Sequence, residues 1–170
     1  MSWSRSVAVV LVAILAAACG FRPLYEGRAT GTVTADLATI KVNVIHDRPG
    51  QQLRNELIDR LNPRGAPKKA LYHLDVRLTE ARQELGIRKD ETATRANIEE
   101  SATFVLMRAE DGEIVYRGSS RATTSYNIVT SEFGALSAES DARRRALEDL
   151  SHDITSRLGL FFNRLRAQDG

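Results

Sequence analysis

The residue in this sequence with the plainest chemistry is its single cysteine. Cys19 follows Ala16-Ala17-Ala18 and precedes Gly20-Phe21-Arg22-Pro23-Leu24-Tyr25. A thiol can be alkylated with a diacylglycerol group, and cleavage just before Cys19 would free an amine that can also be acylated. Two or three chains matter, because one acyl chain gives only marginal, reversible membrane binding. The preceding residues suit that use. Val7 to Ala18 is an unbroken apolar run behind Arg5. It is shorter than the roughly 20 residues a helix needs to cross a bilayer. It matches the apolar core of a secretory signal, with small residues at its end for a peptidase to read. The plainer alternative is an ordinary signal or anchor that happens to contain a cysteine. The expectation is a cleaved signal peptide over residues 1–18 and lipid attachment at Cys19.

Other chemistry is sparse. His46, His73 and His152 are scattered, and none has a histidine partner at the i+3 or i+4 spacing of a helical metal pair. No Gly-x-Ser-x-Gly elbow and no phosphate-cradling glycine loop occurs. Glu99 and Glu100 are neighbours on an expected strand, so they point to opposite faces and cannot share a substrate. The expectation is a protein without catalytic residues, cofactor or metal. With Cys19 used for lipid, no disulfide can form within the chain. The charge is nearly balanced, with 24 Lys and Arg against 22 Asp and Glu. That argues against nucleic-acid binding driven by bulk charge.

The elements follow from periodicity. Glu26 to Asp36 is rich in Gly and Thr and reads as irregular lead-in, so residues 19–36 are expected to form a tether. The domain is expected over residues 37–167. Leu37 to His46 alternates as a strand, with Ala38, Ile40, Val42 and Val44 inward. Asp47 can cap a helix whose first turn holds Pro49. Leu53, Leu57, Ile58 and Leu61 give that helix its buried stripe. Asn62-Pro63-Arg64-Gly65 stops it. Strands are expected over Leu71–Leu85, Arg95–Arg108 and Glu113–Tyr126. Asp111-Gly112 forms the hairpin between the last two. The alternation of the first of these fades at Glu80, Arg82 and Glu84, which reads as a strand running past the core after a bulge. A last helix should open at Ser137 or Ser140 and run to about Ala167. Its stripe is Leu147, Leu150, Ile154, Leu158, Phe161 and Leu165.

The order is β-α-β-β-β-α. Each strand is apolar on one face, so both helices should cover the same face of a four-stranded mixed sheet, giving a two-layer α+β sandwich. The other face carries Arg77, Arg95, Asn97, Thr103, Arg117, Arg121 and Thr123 among other polar residues. Such a face can simply meet water. It also suits docking on a wet polar wall.

Cys19-Gly20-Phe21-Arg22-Pro23-Leu24-Tyr25 resembles the opening of bacterial lipopolysaccharide-assembly lipoproteins of the LptE (RlpB) family. Leu53-Arg54-Asn55-Glu56-Leu57 with Leu61 is similar to that family's first helix, and the order of elements agrees. The signal departs from the usual lipoprotein pattern at Ala16, where leucine is favoured. In the lipoproteins this one resembles, Gly20 in place of aspartate favours export to the outer membrane. The resemblance implies a protein on the periplasmic side of that membrane. It would plug and help assemble a large β-barrel partner, LptD, for placing lipopolysaccharide in the outer leaflet. A polar face fits the interior of such a barrel. Lipopolysaccharide contact would need cations near its phosphates. The candidates are Arg64, Lys68 and Lys69 in one loop and Arg88 and Lys89 in another, with solvated loop charges as the alternative. The alternative function is a periplasmic auxiliary lipoprotein of an ABC-type lipid transporter.

Overall fold

The computed structural model describes residues 29–87 and 93–169. Cys19, Arg88 and Lys89 lie outside them. From Val33 onward the chain forms one compact unit. The elements are α1 (Ala29–Leu37), β1 (Ile40–Val42), α2 (Arg48–Leu61), β2 (Tyr72–Ile87), β3 (Ala93–Arg108), β4 (Ile114–Asn127) and α3 (Glu132–Asp169). The sheet order is β1-β2-β3-β4, with β1 parallel to β2 and the remaining pairs antiparallel. This is the expected α+β fold with a four-stranded mixed sheet.

Helix α1 departs from the irregular chain that its Gly and Thr content suggests. Its last turn is closed by Ala38 N–H on Thr34 O and by the Thr39 hydroxyl donating to Asp36 O at 2.6 Å. Arg166 of α3 pairs with the Asp36 carboxylate.

Strand β1 is shorter than its alternation suggests. The chain leaves the sheet after Asn43, whose N–H still donates to Leu74 O at 3.0 Å. The alternation therefore shifts by one residue. Val44, expected inward, is 72% exposed, and Ile45 is buried in its place. Asp47 then turns the chain into α2 with φ of 67°, a left-handed conformation that costs a non-glycine residue of order 1–3 kcal/mol. Its carbonyl accepts from Gln51 N–H, but its carboxylate makes no capping bond. Pro49 sits in the first turn as expected. Gly50 is needed here, since a Cβ would lie 2.7 Å from Ile45 Cγ2.

Leu53, Leu57 and Leu61 of α2 bury against the same sheet face as Ala142, Ala146, Leu147, Leu150, Ile154, Leu158 and Phe162 of α3. The last turns of the α3 stripe differ from expectation. Phe162 is buried, Phe161 is half-buried, and Leu165 is partly exposed. Helix α3 also starts earlier than Ser137, because Ser131 Oγ accepts from Gly134 N–H at 3.3 Å and opens the helix there.

The long hairpin has no bulge where one was expected. Strands β2 and β3 pair without a shift from Tyr72↔Arg108 to Leu85↔Arg95. The irregularity lies between β3 and β4, at Leu106/Met107. The far half of the sheet has its own small core, in which Ala96, Ile98 and Tyr126 pack with Ala142 of α3. The 109–113 turn closes as expected, with Gly112 at φ of 74° and Arg108 N–H donating to Glu113 O.

At the near end an aromatic cluster seals the layers. Tyr116 lies 5.1 Å from Phe161, and Tyr72 lies 5.3 Å from Phe162, between ring centres. The far end of the Phe104 ring lies against Gly118, where a Cβ would come 2.5 Å from Cζ. Gly118→Ala is therefore expected to cost about 1–3 kcal/mol through overpacking. Urea unfolding of the two proteins checks this.

Candidate interaction surface

The open sheet face is built by register. One row runs Asn43, Asp75, Val105, Arg117, and the next runs Arg77, Thr103, Ser119. Beyond them lie Thr79, Ser101, Arg121; then Ala81, Glu99, Thr123; then Gln83, Asn97, Ser125; then Leu85, Arg95, Asn127. The residues singled out from sequence, Arg77, Arg95, Asn97, Thr103, Arg117, Arg121 and Thr123, thus share one face. Several groups there are already satisfied. Asn43 Nδ2 donates to Asp75 Oδ1 at 2.6 Å, and Ser125 Oγ donates to Asn97 Oδ1 at 2.7 Å. Arg121 pairs loosely with Glu99 at 3.4 Å. Arg77, Arg95 and Arg117 are exposed and make no ion pair among the described residues. Arg77, Thr103 and Arg117 line a cavity of about 830 Å³ that the 45–47 turn closes on one side. The surface offers guanidinium and hydroxyl groups to a polar partner, with the half-buried Val105 and Met107 between them.

Arg64, Lys68 and Lys69 are exposed in the loop that leads from α2 into the start of β2. They make no ion pair among the described residues. Arg88 and Lys89 fall outside the described residues.

The face under α3 holds a cluster that alternation alone did not reveal. Glu80 of β2 and Glu100 of β3 are directly opposed. Arg143 of α3 donates to both Glu80 oxygens, at 2.5 and 3.0 Å, and to Glu139 Oε1 at 3.0 Å. Tyr126 Oη donates to Glu139 Oε2 at 3.1 Å, and Arg82 reaches Glu139 and Glu84. The Arg143-Arg144-Arg145 run is thus divided: Arg143 is structural, while Arg144 and Arg145 pair with Asp141 along the helix. Glu99 faces the open side and Glu100 the covered side, so these two carboxylates do not meet.

Glu100 is 0% exposed, and neither of its oxygens meets a hydrogen-bond donor among the described residues. Burial, then the adjacent Glu80, pushes its carboxyl up to about 8. Glu80 goes the other way, held low chiefly by its bonds to Arg143. A proton on Glu100 makes it a donor to the Glu80 carboxylate, which removes the cost of a bare buried charge. Because the folded protein holds this proton more tightly than the unfolded chain, the contribution is full below pH 4.5. It is lost as pH rises toward 8. Over that window stability should fall by on the order of 1.4 kcal/mol per pH unit from this group, as an upper bound. Glu100→Gln should remove that slope and leave the variant more stable than the natural protein at pH 8. Thermal melts at pH 5, 6.5 and 8 test this.

The fold is a two-layer α+β sandwich with one covered and one polar, open sheet face. The family model for LptE, lipopolysaccharide-assembly, matches residues 37–158. The chain belongs to that family, one of non-catalytic outer-membrane lipoproteins with a role in lipopolysaccharide assembly. No curated protein matches the chain. Among solved structures it is similar to a lipoprotein from Caulobacter crescentus, with 22% identity, a TM-score of 0.64, and coverage of 77% of this chain and 96% of that one. It is similar also to a minor lipoprotein from Acinetobacter baumannii, with 21% identity, a TM-score of 0.56 and coverage of 74% and 91%. Lipoprotein B from Nitrosomonas europaea shares the fold at 12% identity and a TM-score of 0.55, over 73% and 82% of the two chains.

Proposed function

We propose that this chain is lipidated at Cys19 and anchored on the periplasmic side of the outer membrane. There it plugs the lumen of an LptD-type β-barrel, assists the barrel's assembly, and contacts lipopolysaccharide directly on its way to the outer leaflet. The observation that carries the reading is the open sheet face. It is long, polar and arginine-bearing, and Arg77, Arg95 and Arg117 have no ionic partner among the described residues. Hydrogen bonds on such a face can be re-made against a water-filled barrel wall. Membership of the LptE family supports the partner and the lipid together. The cations at Arg64, Lys68, Lys69, Arg88 and Lys89 are the groups we assign to lipid phosphates, which Lys and Arg bind by charge-assisted hydrogen bonds.

The experiment is affinity purification of the tagged, full-length protein from membranes in mild detergent. One large β-barrel at equal stoichiometry is expected. Recovery alone, or with an inner-membrane ATPase complex, would contradict the plug and favour the transporter auxiliary. Cys19→Ser should give a precursor that takes up no labelled fatty acid and misses the outer membrane, and normal labelling would exclude that anchor. Lys68→Glu with Lys69→Glu should weaken lipopolysaccharide binding by at least about 30-fold, from roughly 1 kcal/mol per lost cation near a lipid surface. Its circular dichroism should be unchanged. Undiminished binding would remove this loop from the contact surface.

A further inference from the structure

Strand β2 has an outer edge that is mostly unpaired among the described residues. β1 pairs only with Tyr72 to Leu74, whereas β2 runs on to Ile87. In an extended strand each residue's N–H and C=O point to the same side, and successive residues point to opposite sides. Leu74 O accepts from Asn43 N–H, so Leu74 points outward. By alternation the backbone groups of Val76, Leu78, Glu80, Arg82 and Glu84 point outward too. No strand among the described residues pairs with them.

Proteins usually blunt such an edge with proline, a bulge, short length or unpaired charge. Here the edge has no proline, and its register with β3 is unbroken from Tyr72 to Leu85. Its outward-facing charges are already paired: Glu80 is held by Arg143, and Arg82 by Glu84 and Glu139. Arg77, whose side chain lies on the open face, is the one charge of this stretch without an ion pair among the described residues. Space lies beside it as well. A cavity of about 500 Å³ separates Glu80 from Arg48 and Pro49 at the start of α2, with Leu136 and Arg143 on its α3 side. The larger cavity reaches Val76 and Leu78 from the 45–47 turn. The left-handed Asp47 and the tight Ile45–Gly50 contact hold the chain away from β2 at this point.

We propose that this edge, Val76 to Glu84, receives an extended segment of the partner protein as an added strand, end to end with β1. The inference rests on the reading that the chain has a stable protein partner in the outer membrane. Main-chain hydrogen bonds supply affinity in this mode, and alternate side-chain pockets supply selectivity. Residues of the added strand that point to the helix side meet Arg48, Pro49, Gln52 and Leu136. Arg143 is already taken by Glu80 and Glu139, but Arg48 is exposed and has no ion pair among the described residues, which favours apolar side chains and an acidic one there.

The test is residue-resolved hydrogen exchange on the full-length protein, alone in detergent and in the assembly recovered from membranes. The amides of Val76, Leu78, Glu80, Arg82 and Glu84 should exchange at least about tenfold more slowly in the assembly. The inward amides of Arg77, Thr79, Ala81 and Gln83 should be protected in both. Glu84→Pro removes one outward N–H that no strand among the described residues bonds. It should keep the melting temperature and lose about tenfold in recovered partner, while Glu84→Ala keeps the partner. Equal exchange at the outward amides in an assembly that does form overturns strand addition and leaves the plug reading standing. Protection in the protein alone that rises with its concentration points to a second copy and overturns it too. Recovery of no partner at all overturns both readings.

Discussion

The long helix α3 must bury one apolar stripe, and only one face of the sheet is apolar enough to receive it. Ala146, Leu147, Leu150, Ile154 and Leu158 meet Ala102, Phe104, Leu106 and Ala122 there. Helix α2 enters the same layer through Leu53, Leu57 and Leu61. Burying each such leucine or isoleucine contributes roughly 1.5–3 kcal/mol, so this contact sets the arrangement of the layers. The rest follows from its one-sidedness. With both helices committed to one face, the opposite face of β2, β3 and β4 is left to polar groups. With β1 only three residues long, most of the β2 edge has no strand beside it among the described residues.

The strands are longer than the apolar core, and the way the far half is held explains a second feature. Past Val76 and Leu78 the covered face of β2 carries Glu80, Arg82 and Glu84. Their charges are not solvated tails. They are tied to Glu139 and Arg143 of α3, with Tyr126 completing the set. Glu80, Arg82 and Glu84 stay exposed and Glu139 and Arg143 half-buried, so these ion pairs stabilise little one by one. Glu100 is the member without a cation of its own, and burial keeps it protonated.

Much of this architecture was legible in the sequence because it depends on local periods. Leu53 to Leu61 and Leu147 to Leu158 repeat at helical spacing, and Gly112 marks a turn that needs a left-handed residue. The open face was legible too, since a period of two assigns every second residue to it. The departures lie where a particular contact, near or far along the chain, overrides the period. Glu80 loses its apolar alternation because Arg143, 63 residues later, replaces hydrophobic contact with ion pairing. Val44 and Ile45 exchange roles because Gly50 lets Ile45 close on α2. Ser131 opens α3 although Ser137 and Ser140 offer the same cap chemistry closer to the apolar stripe. The role of the basic loop was not legible at all, since Arg64, Lys68 and Lys69 have no partner within the described residues to define one.

The claim that matters most is that the open sheet face meets the barrel. It is tested most directly by photocrosslinking in cells from an unnatural amino acid placed at Thr103 or Ser119, both exposed at the centre of that face, with Asp149 on the outer side of α3 as the comparison. The account predicts an adduct with one large outer-membrane β-barrel from Thr103 and Ser119. No adduct from these positions, in a protein that still reaches the outer membrane and still co-purifies with the barrel, would contradict it.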